Sequence, residues 1–253
     1  MQSKISYYSL SKHGCKSCQN EDYVVLPTHK ISQKQLAEKG YFFVLCDGLG
    51  GSIAGEVASR VCSRTIFEDF YSSSPKKNEQ LEIINVIKAA NNRILGVIQD
   101  FPKYKGMGTT LVSMMIHIDK VYINNVGDSR AYLWQPDKFQ QISEDQSPAW
   151  ENYQNGNVTK DELIECKYKN LLTEAIGIHI DPEILSYQMN LPENFTFLLC
   201  SDGLSDVCID SDISEVIERS ESLKDCANNL YNIAIEKGSI DDISIILVSN
   251  ILT

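Results

Sequence analysis

Strand-forming apolar runs in this chain stop abruptly at acidic residues. Tyr41 to Cys46 runs into Asp47-Gly48, and Phe195 to Cys200 runs through Ser201 into Asp202-Gly203. After the first run, Gly48, Gly50 and Gly51 suit a tight turn, and Ser52 is placed to cap a helix reaching about Phe70. A polar linker from Ser72 to Asn78 follows, and then Leu81, Ile84, Ile87, Ile94 and Ile98 recur near the 3.6-residue period of an amphipathic helix facing the core. Gly106-Met107-Gly108 breaks the chain before Thr110, Val112, Met114, Ile116 and Ile118 alternate with their neighbours. Val121 to Val126 and Ala131 to Trp134 continue as strands, and the three together predict an antiparallel meander. From about 145 to 170 the chain is polar and holds no period, which predicts a flap-like loop beside the site. Ser222 with Asp225 resembles a capping box opening a helix through Leu230, Ile233 and Ala234, and Gly238 separates it from a last strand, Ile243 to Val248. Helices follow strands irregularly and several strands are consecutive, so the expectation is an α+β fold of mixed antiparallel layers rather than a doubly wound parallel sheet. All 253 residues are expected to form one domain.

The acids at strand ends are the candidate chemistry. Besides the two Asp-Gly pairs, Asn20-Glu21-Asp22 precedes Tyr23 to Leu26, Gly127-Asp128 follows Val126, and Asp241-Asp242 opens the last strand. Carboxylates converging at one rim of a sheet supply the several oxygen ligands that hard cations require. The histidines, His13, His29, His117 and His179, sit at no metal-ligand spacing, which favours magnesium or manganese over zinc or copper. Of the eight cysteines, Cys46, Cys62, Cys200, Cys208 and Cys226 lie in or beside apolar segments and are expected as reduced thiols. The pair Cys15 and Cys18 has no second pair to complete a zinc set. A formal net charge of −11 argues against nucleic acid or an acidic membrane as partner. The N-terminus shows no signal-peptide core and no apolar run approaches the roughly 20 residues of a span, so a soluble cytoplasmic protein, by default a monomer, is expected.

Six motifs occur in an order that carries a resemblance. They are Asn20-Glu21-Asp22; Asp47-Gly48-Leu49-Gly50-Gly51 with Gly55-Glu56-Val57-Ala58-Ser59; Met107-Gly108-Thr109-Thr110; Gly127-Asp128-Ser129-Arg130; Cys200 through Asp206; and Gly238-Ser239-Ile240-Asp241-Asp242. From about Ser6 to about Ser249 the chain resembles the metal-dependent protein phosphatases of type 2C, most closely their compact bacterial members. The resemblance implies a four-layer αββα sandwich with two manganese or magnesium ions at one edge. It implies hydrolysis of phosphoserine and phosphothreonine proteins, substrates made by a Ser/Thr kinase, through direct attack of a metal-bridging water or hydroxide. By position, Asp47 bridges the two metals, the Gly48 carbonyl ligates one, and Asp202 and Asp241 hold the other. Glu21 and Asp22 act through metal-bound water, and Asp128 matches an acid that helps bind a third, weaker metal.

The chain also departs from the family pattern. Ser17 stands where relatives usually carry a phosphate-gripping Arg, which leaves Lys16 as the nearest cation for the substrate phosphate. Leu49 replaces a His or Met, Gln146 replaces a His after Asp145, and Glu174 replaces an Arg. Two other functions stay open: a pseudophosphatase that binds phosphoproteins without turnover, and a metal-dependent hydrolase of small phosphate esters. Taken singly, an Asp-Gly is a turn, Asp206 and Asp242 read as turn residues, and Asp128-Ser129-Arg130 reads as a surface ion pair.

Overall fold

The computed structural model describes residues 5–16, 19–28, 31–49, 53–166 and 168–253. Ser17, Cys18, His29, Gly50, Gly51 and the predicted cap Ser52 lie outside the described residues. The chain opens with β1 (Ser6–Lys12) and β2 (Tyr23–Val25), then passes through α1 (Gln33–Lys39) into β3 (Tyr41–Cys46). After β4 (Gly48–Leu49) come the long helices α2 (Ile53–Ser72) and α3 (Glu79–Asp100). Five strands follow: β5 (Gly108–Thr109), β6 (Leu111–His117), β7 (Lys120–Val126), β8 (Arg130–Gln135) and β9 (Lys138–Gln141). Helix α4 (Pro148–Gln154) precedes β10 (Leu185–Asn190) and β11 (Thr196–Cys200). The chain then runs through α5 (Asp202–Ser205), α6 (Asp210–Arg219) and α7 (Leu223–Glu236) into β12 (Ile243–Ser249).

Two five-stranded antiparallel sheets form the centre, one ordered β1-β12-β11-β8-β9 and the other β10-β7-β6-β3-β2. The apolar runs are unbroken because these strands are covered on both faces, and successive side chains point to opposite sides. In β3, Phe43 and Leu45 enter the layer between the sheets, while Phe42, Val44 and Cys46 pack with Ala58, Cys62, Ile66, Ile83, Ile87 and Ile94 of α2 and α3. On the other sheet Phe197, Leu199, Ile246 and Val248 face inward, while Leu198, Cys200, Ile245 and Leu247 meet α6 and α7 through Ile213, Leu223 and Leu230. The four-layer αββα sandwich is therefore the fold of this chain.

Three local readings change. The predicted meander is broken: β6 and β7 pair, but β8 crosses to the other sheet, where it lies between β11 and β9. Gly127, at φ 96°, makes the crossover and carries Asp128 with it. In α3 the buried stripe is Ile83, Val86, Ile87, Ala90 and Ile94, and Leu81 in the first turn is exposed. The segment 145–170 contains α4, whose Ala149 and Trp150 pack with Leu163 in a small core of their own. Helix α7 begins as expected, with the Ser222 hydroxyl accepting from the Asp225 N–H.

Candidate metal centre

The first Asp-Gly is locked through its backbone. The Asp47 N–H donates to Thr110 Oγ1 at 3.0 Å, and its carbonyl accepts from the Thr110 N–H at 2.8 Å and Thr109 Oγ1 at 2.7 Å. Gly48 N–H donates to the Glu21 carbonyl at 3.1 Å, and a Cβ on Gly48 would lie 2.3 Å from the Gly55 carbonyl oxygen. A Cβ on Gly203 would lie 2.1 Å from the Asp242 carbonyl oxygen. Neither glycine adopts positive φ, so both serve close backbone approach and not the turn that an isolated Asp-Gly suggests. Ser201 completes the seam: its hydroxyl donates to Asp22 Oδ2 at 2.8 Å and accepts from the Ser244 N–H at 2.9 Å. These contacts bring together the segments that carry Glu21, Asp22, Asp47 and Asp202, and Asp241 lies close enough to act on Asp47 and Asp202 through its charge.

Asp242 is an anchor that the sequence did not single out. Its Oδ1 accepts from the Gly14 N–H at 2.7 Å and lies 2.9 Å from His13 Nδ1, while its Oδ2 accepts from the Glu21 N–H at 2.7 Å. The turn reading is thus replaced: a buried carboxylate ties the segment from His13 to Glu21 onto the start of β12. Within the Asp-Asp doublet only the family resemblance, which assigned Asp241 to the metal, distinguished one acid from the other. Replacing Asp242 by Ala leaves the partly buried N–H groups of Gly14 and Glu21 without their acceptor and frees Glu21, and metal-stimulated phosphate release is expected to fall about 10- to 100-fold. Initial rates measure this, and a rate equal to that of the wild type would contradict the anchoring role.

The same segment brings Lys16 to the acids. The Ile240 carbonyl accepts from Cys15 N–H at 2.8 Å and Lys16 N–H at 2.9 Å, and a Cβ on Gly14 would lie 2.3 Å from the Asp241 carbonyl carbon. Lys16 Nζ donates to Asp241 Oδ2. Partial burial works against the Lys16 charge, but Asp241, then Asp202 and Asp47, hold it above the ordinary lysine value.

Around Asp128 the crossover is clamped. Gly127 N–H donates to Gln146 Oε1 at 2.8 Å, and Gln146 N–H returns to the Gly127 carbonyl at 3.0 Å. Arg130 does not form the expected surface pair with Asp128; its fork grips the buried Asp145, with Nη2 2.6 Å from Oδ2, and is itself mostly covered. Asp206 also does more than shape a turn, since its Oδ2 accepts from Asn170 Nδ2 at 2.9 Å and its carbonyl from Lys169 Nζ at 2.9 Å, which docks residues 168–170. Leu49 lies in β4 opposite Gly108, and Glu174 Oε2 accepts from the Glu183 N–H at 3.3 Å.

The acids repel one another. Burial, then the charges of Asp22, Asp202, Asp128 and Asp241, push Asp47 well above the usual carboxylate range. Asp202 is raised in the same way, by burial and then by Asp128, Asp206, Asp241 and Asp22. Burial is also the main cause at Asp22 and at Asp128, each pushed up to about 7, and Glu21 is raised too. Three carboxylate oxygens, Glu21 Oε1, Asp22 Oδ1 and Asp202 Oδ1, are buried with no hydrogen-bond partner. Among the described residues, no three Asp, Glu, His or Cys side chains are drawn tightly enough to enclose an ion by themselves. Hard divalent cations nevertheless fit this donor set, because orphaned buried carboxylate oxygens are costly unless something positive faces them.

Comparison with known proteins agrees with this geometry. The family model described as Protein phosphatase 2C matches residues 19–238. A serine/threonine phosphatase, stp, of Listeria innocua is 30% identical over 214 residues, covering 83% of this chain and 85% of that protein. The crystal structure of the serine/threonine phosphatase Stp1 from Staphylococcus aureus superposes with TM-score 0.87 at 28% identity, covering 97% of this chain and 95% of the other. The catalytic domain of the serine/threonine protein phosphatase PstP, in complex with two manganese ions, superposes with TM-score 0.81 at 26% identity, covering 97% of both. The chain belongs to the protein phosphatase 2C family, whose members are metal-dependent phosphatases.

Proposed function

We propose that this chain hydrolyses phosphoserine and phosphothreonine esters of proteins, using two manganese or magnesium ions held by Asp47, the Gly48 carbonyl, Asp202 and Asp241. The observation that carries the reading is the set of orphaned oxygens on Glu21, Asp22 and Asp202, at one rim with Asp47 and Asp241. Bound divalent cations supply a water acidified at neutral pH and positive charge for the phosphoryl oxygens. The chain's own part is to fix the acids. Thr109 and Thr110 hold Asp47, Ser201 holds Asp22, and Asp242 holds Glu21, so each carboxylate keeps its place despite mutual repulsion. Asp128, carried to the rim by the Gly127 crossover, is our candidate for a third, weaker metal. Lys16 is the nearest described cation for the substrate phosphate, and it can act there as a point charge.

A non-catalytic phosphoprotein-binding module is the poorer reading, because the sequence keeps every acid of the proposed metal set. Among the described residues, no helix is long and apolar enough to cross a membrane. Comparing kcat/KM for a phosphothreonine peptide and for p-nitrophenyl phosphate in manganese tests the substrate class. The peptide is expected to be the better substrate, and faster cleavage of the small ester would favour a small-ester hydrolase.

A further inference from the structure

Asp241 differs from the other proposed ligands in having both oxygens engaged. Its Oδ1 accepts from the Asp242 N–H at 3.0 Å, and its Oδ2 accepts from Lys16 Nζ. The Lys16 backbone is pinned separately, through the two N–H groups on the Ile240 carbonyl and the Asp242 contacts to Gly14 and Glu21. The side chain alone is therefore free to move, and it is half exposed, at 54%.

We propose that Lys16 is a built-in competitor of the metal, an internal counter-ion that occupies Asp241 Oδ2 until a divalent cation displaces its ammonium. The inference rests on the metal-centre reading above. An ammonium within hydrogen-bond distance of a carboxylate oxygen and a metal on the same oxygen exclude each other sterically and by like charge. Displacement leaves the ammonium beside the rim on a fixed backbone, available to the phosphate of a substrate. A single side chain would in this way link metal loading to phosphate affinity, and the two would be read out in opposite directions when it is removed.

The test is titration of manganese into the metal-free protein, followed by calorimetry. Lys16→Met keeps the length of the stem and removes the charge, and the exposed position makes a folding defect a minor concern. Lys16→Met is expected to bind manganese about fivefold more tightly at the Asp241-dependent site, the worth of a modest ion pair. Lys16→Arg, which keeps the charge, is expected to stay near the wild type. In an Asp241→Asn background, Lys16→Met is expected to have a much smaller effect, left to the charge acting on Asp202 and Asp47. In the manganese-loaded protein, Lys16→Met is expected to weaken binding of inorganic phosphate. Unchanged or weaker manganese binding by Lys16→Met, with wild-type stoichiometry, would overturn the competition. A wild-type protein that binds no manganese would instead overturn the metal-centre reading, and the competition with it.

Discussion

Asp47→Asn is expected to lower phosphate release from a phosphothreonine peptide in manganese by about 1,000-fold, corresponding to about 4 kcal/mol of barrier. The substitution is isosteric, and Asp47 is placed by its backbone contacts to Thr109 and Thr110, so the loop stays where it is. What is lost is the charge and one oxygen at the centre of the acid set. The same change removes a carboxyl whose ionised form burial and four neighbouring aspartates oppose, so the variant in chelator is expected to unfold at a higher temperature than the wild type. Loss of activity coupled to gain of metal-free stability separates a ligand from a core residue, whose replacement lowers both. Rates and thermal scans on one preparation measure the pair. A variant within tenfold of wild-type activity would remove Asp47 from the proposed metal set.

In chelator, the protein is expected to be less stable at pH 8 than at pH 5. Asp22 and Asp128 are pushed up to about 7 when folded, mainly by burial, against an ordinary value of 3.8. Between those limits the folded state holds more protons than the unfolded state. The resulting stability is fully present below the ordinary carboxylate value and is lost as pH rises through about 7. Burial and mutual repulsion raise Asp47 and Asp202 as well, which adds to the loss of stability as pH rises. Manganese is expected to reverse the trend if it binds the ionised carboxylates as proposed, since occupancy at 100 times Kd adds about 2.7 kcal/mol for one site. Thermal scans at the two pH values, with chelator and with manganese, measure both effects. Chelated protein that is more stable at pH 8, with no response to manganese, would contradict the repulsive acid rim.

Strands such as β3 and β11 were legible because they are buried on both faces and read as unbroken apolar runs, while their division into two central sheets followed only from the family resemblance. The rim was legible because those runs end in acids, and because six short motifs keep the family's order. Other features depend on contacts between distant segments. Nothing local in Ala131 to Trp134 says that β8 joins the other sheet; that follows from the crossover at Gly127, clamped by Gln146 nineteen residues later. The exposure of Leu81 reflects where α3 rests on the sheet, which periodicity alone leaves free by one ridge. Polar composition hid α4, since its small core needs only Ala149, Trp150 and Leu163. The doublet Asp241-Asp242 is two identical side chains with opposite tasks, one toward Lys16 and the rim, the other inward to Gly14 and Glu21.

The most direct measurement is phosphate release from a phosphothreonine peptide by the wild-type protein, first in manganese, then in chelator, then with manganese restored. Turnover that is present, lost and regained in that order is the predicted result. Folded, manganese-bound protein that releases no phosphate above background from several phosphopeptides would contradict the account.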